Sequence, residues 1–256
     1  NFQDVRCCSS VRAVVNEKPK KKPSIVVNTY LLAYNFIQVL GWSYLLFQIV
    51  NFYVNPPKDQ SLWNVVKYTV GIFQNAAVFE IFNVATGLVK SNLVVTTLQV
   101  LSRVALVACI AFVPETSNSP GLPLALTAWC FAEITRYSYY GFSILGFVPY
   151  LIIWARYTFF YILYPLGVTG ELLVYWTSLG YIGRSKMWSI ELPNRFNFAF
   201  SLWTAITLIM LSYIPLFPQM YMHMVYQRKK TLGSSESKKV QKKMSPVQLI
   251  NIHHHH

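Results

Sequence analysis

Apolar runs alternate with short polar breaks along most of this chain, and six of the runs come close to the roughly 20 residues a helix needs to cross a bilayer's hydrocarbon core. The first runs from Tyr30 to Val54 without a charge and stops at Asn55, Pro56 and Pro57, where paired prolines cannot continue a helix. The second covers Val66 to Val89. The third, Asn92 to Val113, ends at Pro114, and the turn-forming stretch Thr116 to Gly121 follows it. The fourth is Pro123 to Leu145. The fifth, Pro149 to Leu179, would be about 46 Å long as one straight helix, against a hydrocarbon core of about 30 Å. It is therefore expected to kink, tilt or break near Pro165 and Gly167. The sixth runs from Phe196 to Tyr226. The pattern predicts an all-α polytopic membrane protein, a bundle of six transmembrane helices with a Pro/Gly break in the fifth.

Composition supports this reading. The 256 residues are 54% hydrophobic and 12% charged, about half the charge content of soluble domains, and the mean hydropathy is +0.37. Between Tyr30 and Tyr226 only six acids and nine bases occur in 197 residues, so most of the +13 net charge belongs to the two ends. Residues 1–29 form a basic tail, 30–226 the membrane domain, 227–252 a second basic tail, and His253 to His256 the remnant of a purification tag. Charge confined to two tails argues against a nucleic-acid-binding face. Lys18 and Lys20 to Lys22 precede the first span and Arg228 to Lys230 follow the last, which predicts both termini in the cytosol and an even number of crossings. The connection bearing Arg184, Lys186 and Arg195 opposes that rule. Asp4 and Arg6 replace an apolar leader core, so targeting is expected to fall to the first hydrophobic segment. Cys7, Cys8, Cys109 and Cys130 show neither zinc-ligand nor disulfide spacing; the last two read as buried thiols, and the first two as candidates for lipidation.

Candidate chemistry is limited by what the spans lack. Apart from the tag the only histidine is His223, and both aspartates lie outside the spans, so histidine-cluster metal chemistry is not expected and no metal is assigned. An acid or base within the membrane must be Glu80, Glu133, Glu171 or a tyrosine, and ionisable groups there need a partner or a function. Three arginines, Arg103, Arg136 and Arg156, could neutralise the three glutamates. Glu133 and Arg136 are three apart and share a helical face. Glu80 has no base at helical spacing but could pair with an arginine across helices. Glu171 also lacks a cation at helical spacing and follows Pro165 and Gly167 closely, which makes it the candidate for an unpaired base. Tyr164 lies seven residues earlier, nearly on the same face and roughly 10 Å away along a helix axis, with Tyr161 and Tyr157 extending the line. A tyrosine stripe can be packing alone. A carboxylate and a phenol flanking one substrate also suit dehydration, in which one group removes a proton and the other protonates a leaving oxygen.

The run RYTFFYILYPLGVTGE from Arg156 to Glu171 resembles the signature of the very-long-chain (3R)-3-hydroxyacyl-CoA dehydratases, also called the protein tyrosine phosphatase-like family. Further matches are YLLAYN at Tyr30 to Asn35, LQVLSR at Leu98 to Arg103, EITRYSYY at Glu133 to Tyr140, LPN at Leu192 to Asn194 and SYIPLFPQ at Ser212 to Gln219. The resemblance implies a six-span enzyme of the endoplasmic reticulum, acting at the third step of fatty acid elongation on a long-chain acyl-CoA, beside membrane lipid and the elongase and reductase enzymes. It implies no cofactor beyond the coenzyme A carried by the substrate. The family's catalytic pair falls on Tyr164 and Glu171, read here as acid and base, although the reverse is chemically possible. Arg156 would orient the site and Gly167 shape the break. Some members carry a degenerate phosphatase signature in the second span. The matching region here, Asn83, Val84, Gly87 and Lys90, has no thiol, which excludes phosphatase chemistry by that route. The competing class is an inactive membrane scaffold or acyl-lipid-binding adaptor, in which Tyr164 and Glu171 would be a packing pair.

Overall fold

The apolar runs fold as helices, and local signals set several of their ends. In the computed structural model, which describes residues 25–89, 91–190 and 200–243, α1 (Ile25–Val54) stops just before the Asn55–Pro57 break. α2 (Leu62–Ala76) is capped by Ser61, whose side chain accepts from the Asn64 amide, and is followed after Ala77 by the short α3 (Val78–Ala85). α4 (Leu93–Phe112) begins at Asn92, which accepts from the Val94 and Val95 amides and so satisfies two otherwise unpaired donors. A 3₁₀ turn at Pro114–Asn118 leads into α5 (Gly121–Ile144). α6 (Tyr150–Thr158) and α7 (Phe160–Ser185) follow, and α8 (Leu202–Lys243) completes the chain of helices. No strand occurs among the described residues; Ile190 and Phe200 only exchange two backbone hydrogen bonds, of 2.7 and 3.0 Å, at the ends of the connection between α7 and α8.

α5 is the central helix, packed most extensively against α1 and α7. The α5–α7 seam is close because it is built from small residues. A Cβ on Gly170 would lie 2.5 Å from the Ala125 amide nitrogen, and one on Gly121 would lie 2.3 Å from the Gly170 carbonyl oxygen. Without a lipid-excluding hydrophobic drive, such close backbone packing is a principal means of joining membrane helices. α8 lies outside, against α7 and α6. The outer faces are apolar: Phe36, Phe47, Ile162 and Trp176 are all more than 60% exposed, as lipid contact demands and water would not favour.

Three helices are individually long and apolar enough to cross a membrane: α1, α4 and the Leu202–Thr231 part of α8; the bent pair α6 and α7 makes a fourth. The other two predicted spans do not form single helices long and apolar enough to cross a membrane. Residues 66–89 fall on α2 and α3, interrupted at Ala77, and residues 123–145 fall on α5, which carries Glu133 and Arg136.

The break in the fifth segment differs from expectation. α6 and α7 meet at a 45° bend around Phe159, while Pro165 and Gly167 lie inside the continuous helix α7. Proline lacks the amide that would bond to the carbonyl four residues earlier, and its ring crowds that carbonyl, so the distortion is expressed upstream of the ring. Gly167 packs instead on α5, where an added Cβ would meet Ala128 Cβ at 3.4 Å. The last helix also runs on past Tyr226, since a helix satisfies its own backbone on either side of a membrane surface. The LPN stretch, Lys90, Arg195, Cys7, Cys8 and the basic run at Lys18 to Lys22 lie outside the described residues.

Candidate active site

α7 carries Tyr164 and Glu171 on one continuous helix, two turns apart, a separation of roughly 10 Å along a helix axis. Glu171 is half-buried and both of its carboxylate oxygens are occupied. Trp129 Nε1 on α5 donates to Oε1 at 2.8 Å, and the Tyr213 hydroxyl on α8 donates to Oε2 at 2.6 Å. Three helices thus converge on one carboxylate. Both donors are neutral, and no cation pairs with Glu171 among the described residues. One turn further on, the buried Tyr175 hydroxyl has no hydrogen-bond partner.

Tyr164 stands in an aromatic column between α7 and α8. Its ring stacks on Phe217 with centroids 5.0 Å apart and planes 11° apart, and lies 6.3 Å from Tyr221. Its hydroxyl makes no hydrogen bond among the described residues. Tyr221 continues the column to Tyr161, 6.0 Å away, and the Arg228 guanidinium lies over the Tyr161 ring at 5.3 Å. Tyr157 leaves this line because the bend at Phe159 separates it from Tyr161; it borders the Arg156 guanidinium instead.

The other ionisable groups form a separate assembly. Glu133, 2% exposed, accepts from Arg103 of α4 and from Arg136 Nε at 2.8 Å. Arg136 also grips Glu80 of α3 with two bonds of 2.8 and 2.9 Å, and the Tyr137 hydroxyl donates to Glu80 as well. Two arginines and two glutamates therefore compensate one another and tie α3, α4 and α5 together. The pairing stops at two and two, so the third arginine and third glutamate stay apart. Arg156 meets aromatic faces instead, with Tyr139 at 4.5 Å and Tyr140 at 5.1 Å, and its Nε and Nη1 are buried without an acceptor among the described residues. One contact joins the two assemblies: the Arg103 guanidinium lies 5.2 Å over the Trp129 ring, whose nitrogen bonds Glu171. Among the described residues no group of three His, Cys, Asp or Glu side chains could hold a metal ion.

Trp129 and Tyr213 were not singled out from the sequence. The only signal was indirect, since Tyr213 and Phe217 both belong to the SYIPLFPQ stretch.

Comparison with known proteins bears on this arrangement. The family model described as "Protein tyrosine phosphatase-like protein, PTPLA" matches residues 74–234. Very-long-chain (3R)-3-hydroxyacyl-CoA dehydratase 2 of Mus musculus is 42% identical over 223 residues, 87% of this chain and 88% of the mouse protein. The dehydratase hpo-8 of Caenorhabditis elegans is 44% identical over 83% of this chain and 99% of its own length. The dehydratase PASTICCINO 2 of Arabidopsis thaliana is 34% identical over 83% of this chain and 97% of its own length. No solved structure matches. With a family model across the residues that build the site, and relatives aligned over more than four-fifths of its length, this chain belongs to the protein tyrosine phosphatase-like family.

Proposed function

We propose that this protein is a hydro-lyase that dehydrates very-long-chain (3R)-3-hydroxyacyl-CoA to the trans-2-enoyl-CoA, the third step of fatty acid elongation, with Glu171 as base and Tyr164 as acid. The observation that carries this reading is the state of Glu171: a half-buried carboxylate held by two neutral donors and paired with no cation among the described residues. Neutral donors fix its direction while leaving its charge available for a proton. Glu171 takes the proton from carbon 2, the released electron pair forms the double bond to carbon 3, and the bond from carbon 3 to oxygen breaks. The departing oxygen takes the Tyr164 proton and leaves as water. Passage of one proton from Glu171 back to Tyr164 restores the starting state.

The two donors differ in what they tolerate. A tyrosine hydroxyl can rotate and accept a hydrogen bond, whereas an indole N–H only donates. Proton uptake is thus easier at Oε2, facing Tyr213, while Trp129 holds Oε1 throughout. Tyr164, whose hydroxyl is committed to no partner among the described residues, is the phenol left to meet substrate; Tyr213 is already committed to the base. The chemistry needs proton transfer and electrostatic stabilisation, and the reading assigns no cofactor. It also places the chain in the endoplasmic reticulum membrane with six crossings and both termini cytosolic, α2 with α3 and α5 supplying the two less apolar crossings, near the elongase and reductase of the cycle.

The test is conversion of a long-chain (3R)-3-hydroxyacyl-CoA by purified protein, alongside Tyr164→Phe and Glu171→Gln. Turnover lost in both variants with helicity and thermal unfolding preserved supports the reading. No turnover by the unmodified protein over several chain lengths, in either direction, overturns it in favour of a scaffold or acyl-lipid-binding adaptor.

A further inference from the structure

The aromatic column above Glu171 has a direction. α7 and α8 run antiparallel, so contacts ascend in order: Tyr213 to Glu171, Phe217 to Tyr164, Tyr221 to Tyr164 and Tyr161, and Arg228 over Tyr161. α5 also runs antiparallel to α7, with Gly121 at Leu173, Ala125 at Gly170 and Ala128 at Gly167, so its later residues Tyr139 and Tyr140 bring Arg156 to the same end as Arg228. Two guanidiniums thus mark one end of the column. Among the described residues Arg228 Nε, Arg156 Nε and Arg156 Nη1 are buried with no acceptor, and neither arginine pairs with a carboxylate. At the opposite end of α7 the cation is already neutralised, because Arg184 bonds Glu115 at 2.7 Å.

Guanidinium groups with unfilled donors, away from carboxylates, match the multiple oxygens of a phosphate. Resting on the acyl-CoA reading above, we infer that Arg228, joined by Arg156, is the subsite for the phosphate groups of the coenzyme A portion, with the pantetheine arm lying along Tyr161 and Tyr221 and the thioester reaching Tyr164. The two exposed lysines that follow, Lys229 and Lys230, add positive potential at that mouth. A membrane phospholipid offers the same phosphate chemistry, and the test separates the two sources.

The experiment compares a 3-hydroxyacyl-CoA with the same acyl group on pantetheine, which has the arm but no phosphate, in phospholipid-free dodecyl maltoside. Arg228→Gln should raise KM for the CoA thioester about tenfold or more, as for loss of a charge-assisted bond, leave kcat unchanged and leave the pantetheine thioester unaffected. Arg228→Lys should recover part of the loss. Arg184→Gln, which removes one positive charge at the other end, should change neither substrate. An equal rise with both thioesters, or none with either, overturns the subsite. A rise that occurs only in vesicles of anionic phospholipid also overturns it and assigns the arginine to lipid. If the unmodified protein turns over neither thioester, the dehydratase reading fails, and the subsite is read from equilibrium binding of palmitoyl-CoA against palmitoyl-pantetheine. There Arg228→Gln weakening only the former upholds it, and any other pattern rejects it.

Discussion

Two glutamates on neighbouring helices, Glu133 on α5 and Glu171 on α7, sit in opposite electrostatic surroundings. Glu133 is held by Arg103 and Arg136, and Arg136 reaches on to Glu80, so four charges cancel within one cluster. Among the described residues Glu171 receives only an indole N–H and a phenol O–H. A carboxylate locked between guanidiniums gains little from taking a proton, because two cations would then lose their partner. One held by neutral dipoles is oriented without an opposing charge beside it. On the proposed reading the same side chain is a strut in one place and a base in the other, and charge compensation as well as burial separates them.

The strongest way to break that comparison is to neutralise each carboxylate in turn. Glu171→Gln should lower turnover by about 10²- to 10⁴-fold, the range of a general base, with little change in thermal unfolding. The amide can keep both contacts, its oxygen facing Trp129 and its nitrogen donating to a rotated Tyr213 hydroxyl. Glu133→Gln should do the reverse, costing about 3–5 kcal/mol of stability because Arg103 would be left without its carboxylate, while turnover per folded molecule stays near that of the unmodified protein. Unfolding in detergent and active-site-normalised rates, measured on both variants, check this. A stability loss in Glu171→Gln matching that of Glu133→Gln would erase the distinction.

How much of this was legible follows from the range over which each feature acts. Helical character, the Glu133–Arg136 spacing and the shared face of Tyr164 and Glu171 are local, within a few turns, and periodicity exposes them. The bend was misplaced by about two turns, at Pro165 instead of Phe159, because a proline reports where the amide is missing and not where the backbone yields. Composition allowed three arginines to neutralise three glutamates, whereas the pairing takes in only Glu80 and Glu133 and leaves Glu171, the candidate unpaired base, without a cation among the described residues, since which charges meet depends on how helices are stacked. Trp129 and Tyr213 lie 42 residues before and after Glu171, far beyond any periodic signal, so only the folded arrangement brings them to one carboxylate.

A smaller effect sharpens the role of those two donors. Tyr213→Phe removes the bond to Oε2 while Trp129 keeps Oε1, so Glu171 should retain its charge and lose part of its orientation. Turnover should fall about tenfold, the worth of one hydrogen bond to a charged group, with KM unchanged. A loss as deep as that of Glu171→Gln would mean that Tyr213, and not Tyr164, supplies the proton to the leaving oxygen. Single-turnover rates for both phenylalanine variants distinguish the two tyrosines.

The smallest expected change tests whether burial gives the central cluster its energy. Arg184 bonds Glu115 at 2.7 Å, as close as Arg136 lies to Glu80 at 2.8 Å, yet its side chains are 70% and 45% exposed against 27% and 14%. Geometry is matched and solvent access is not. Water and salt screen the outer pair, and holding two long side chains in one place costs entropy, so Arg184→Ala should shift stability by no more than about 1 kcal/mol. Raising ionic strength should abolish what remains, whereas the Glu133 cluster should respond little to salt. Thermal unfolding of Arg184→Ala and Glu133→Gln at low and high salt reads both quantities. A cost for Arg184→Ala approaching that of Glu133→Gln would show that contact distance sets the energy of these ion pairs, and would remove the reason for treating the central cluster as the strut of the bundle.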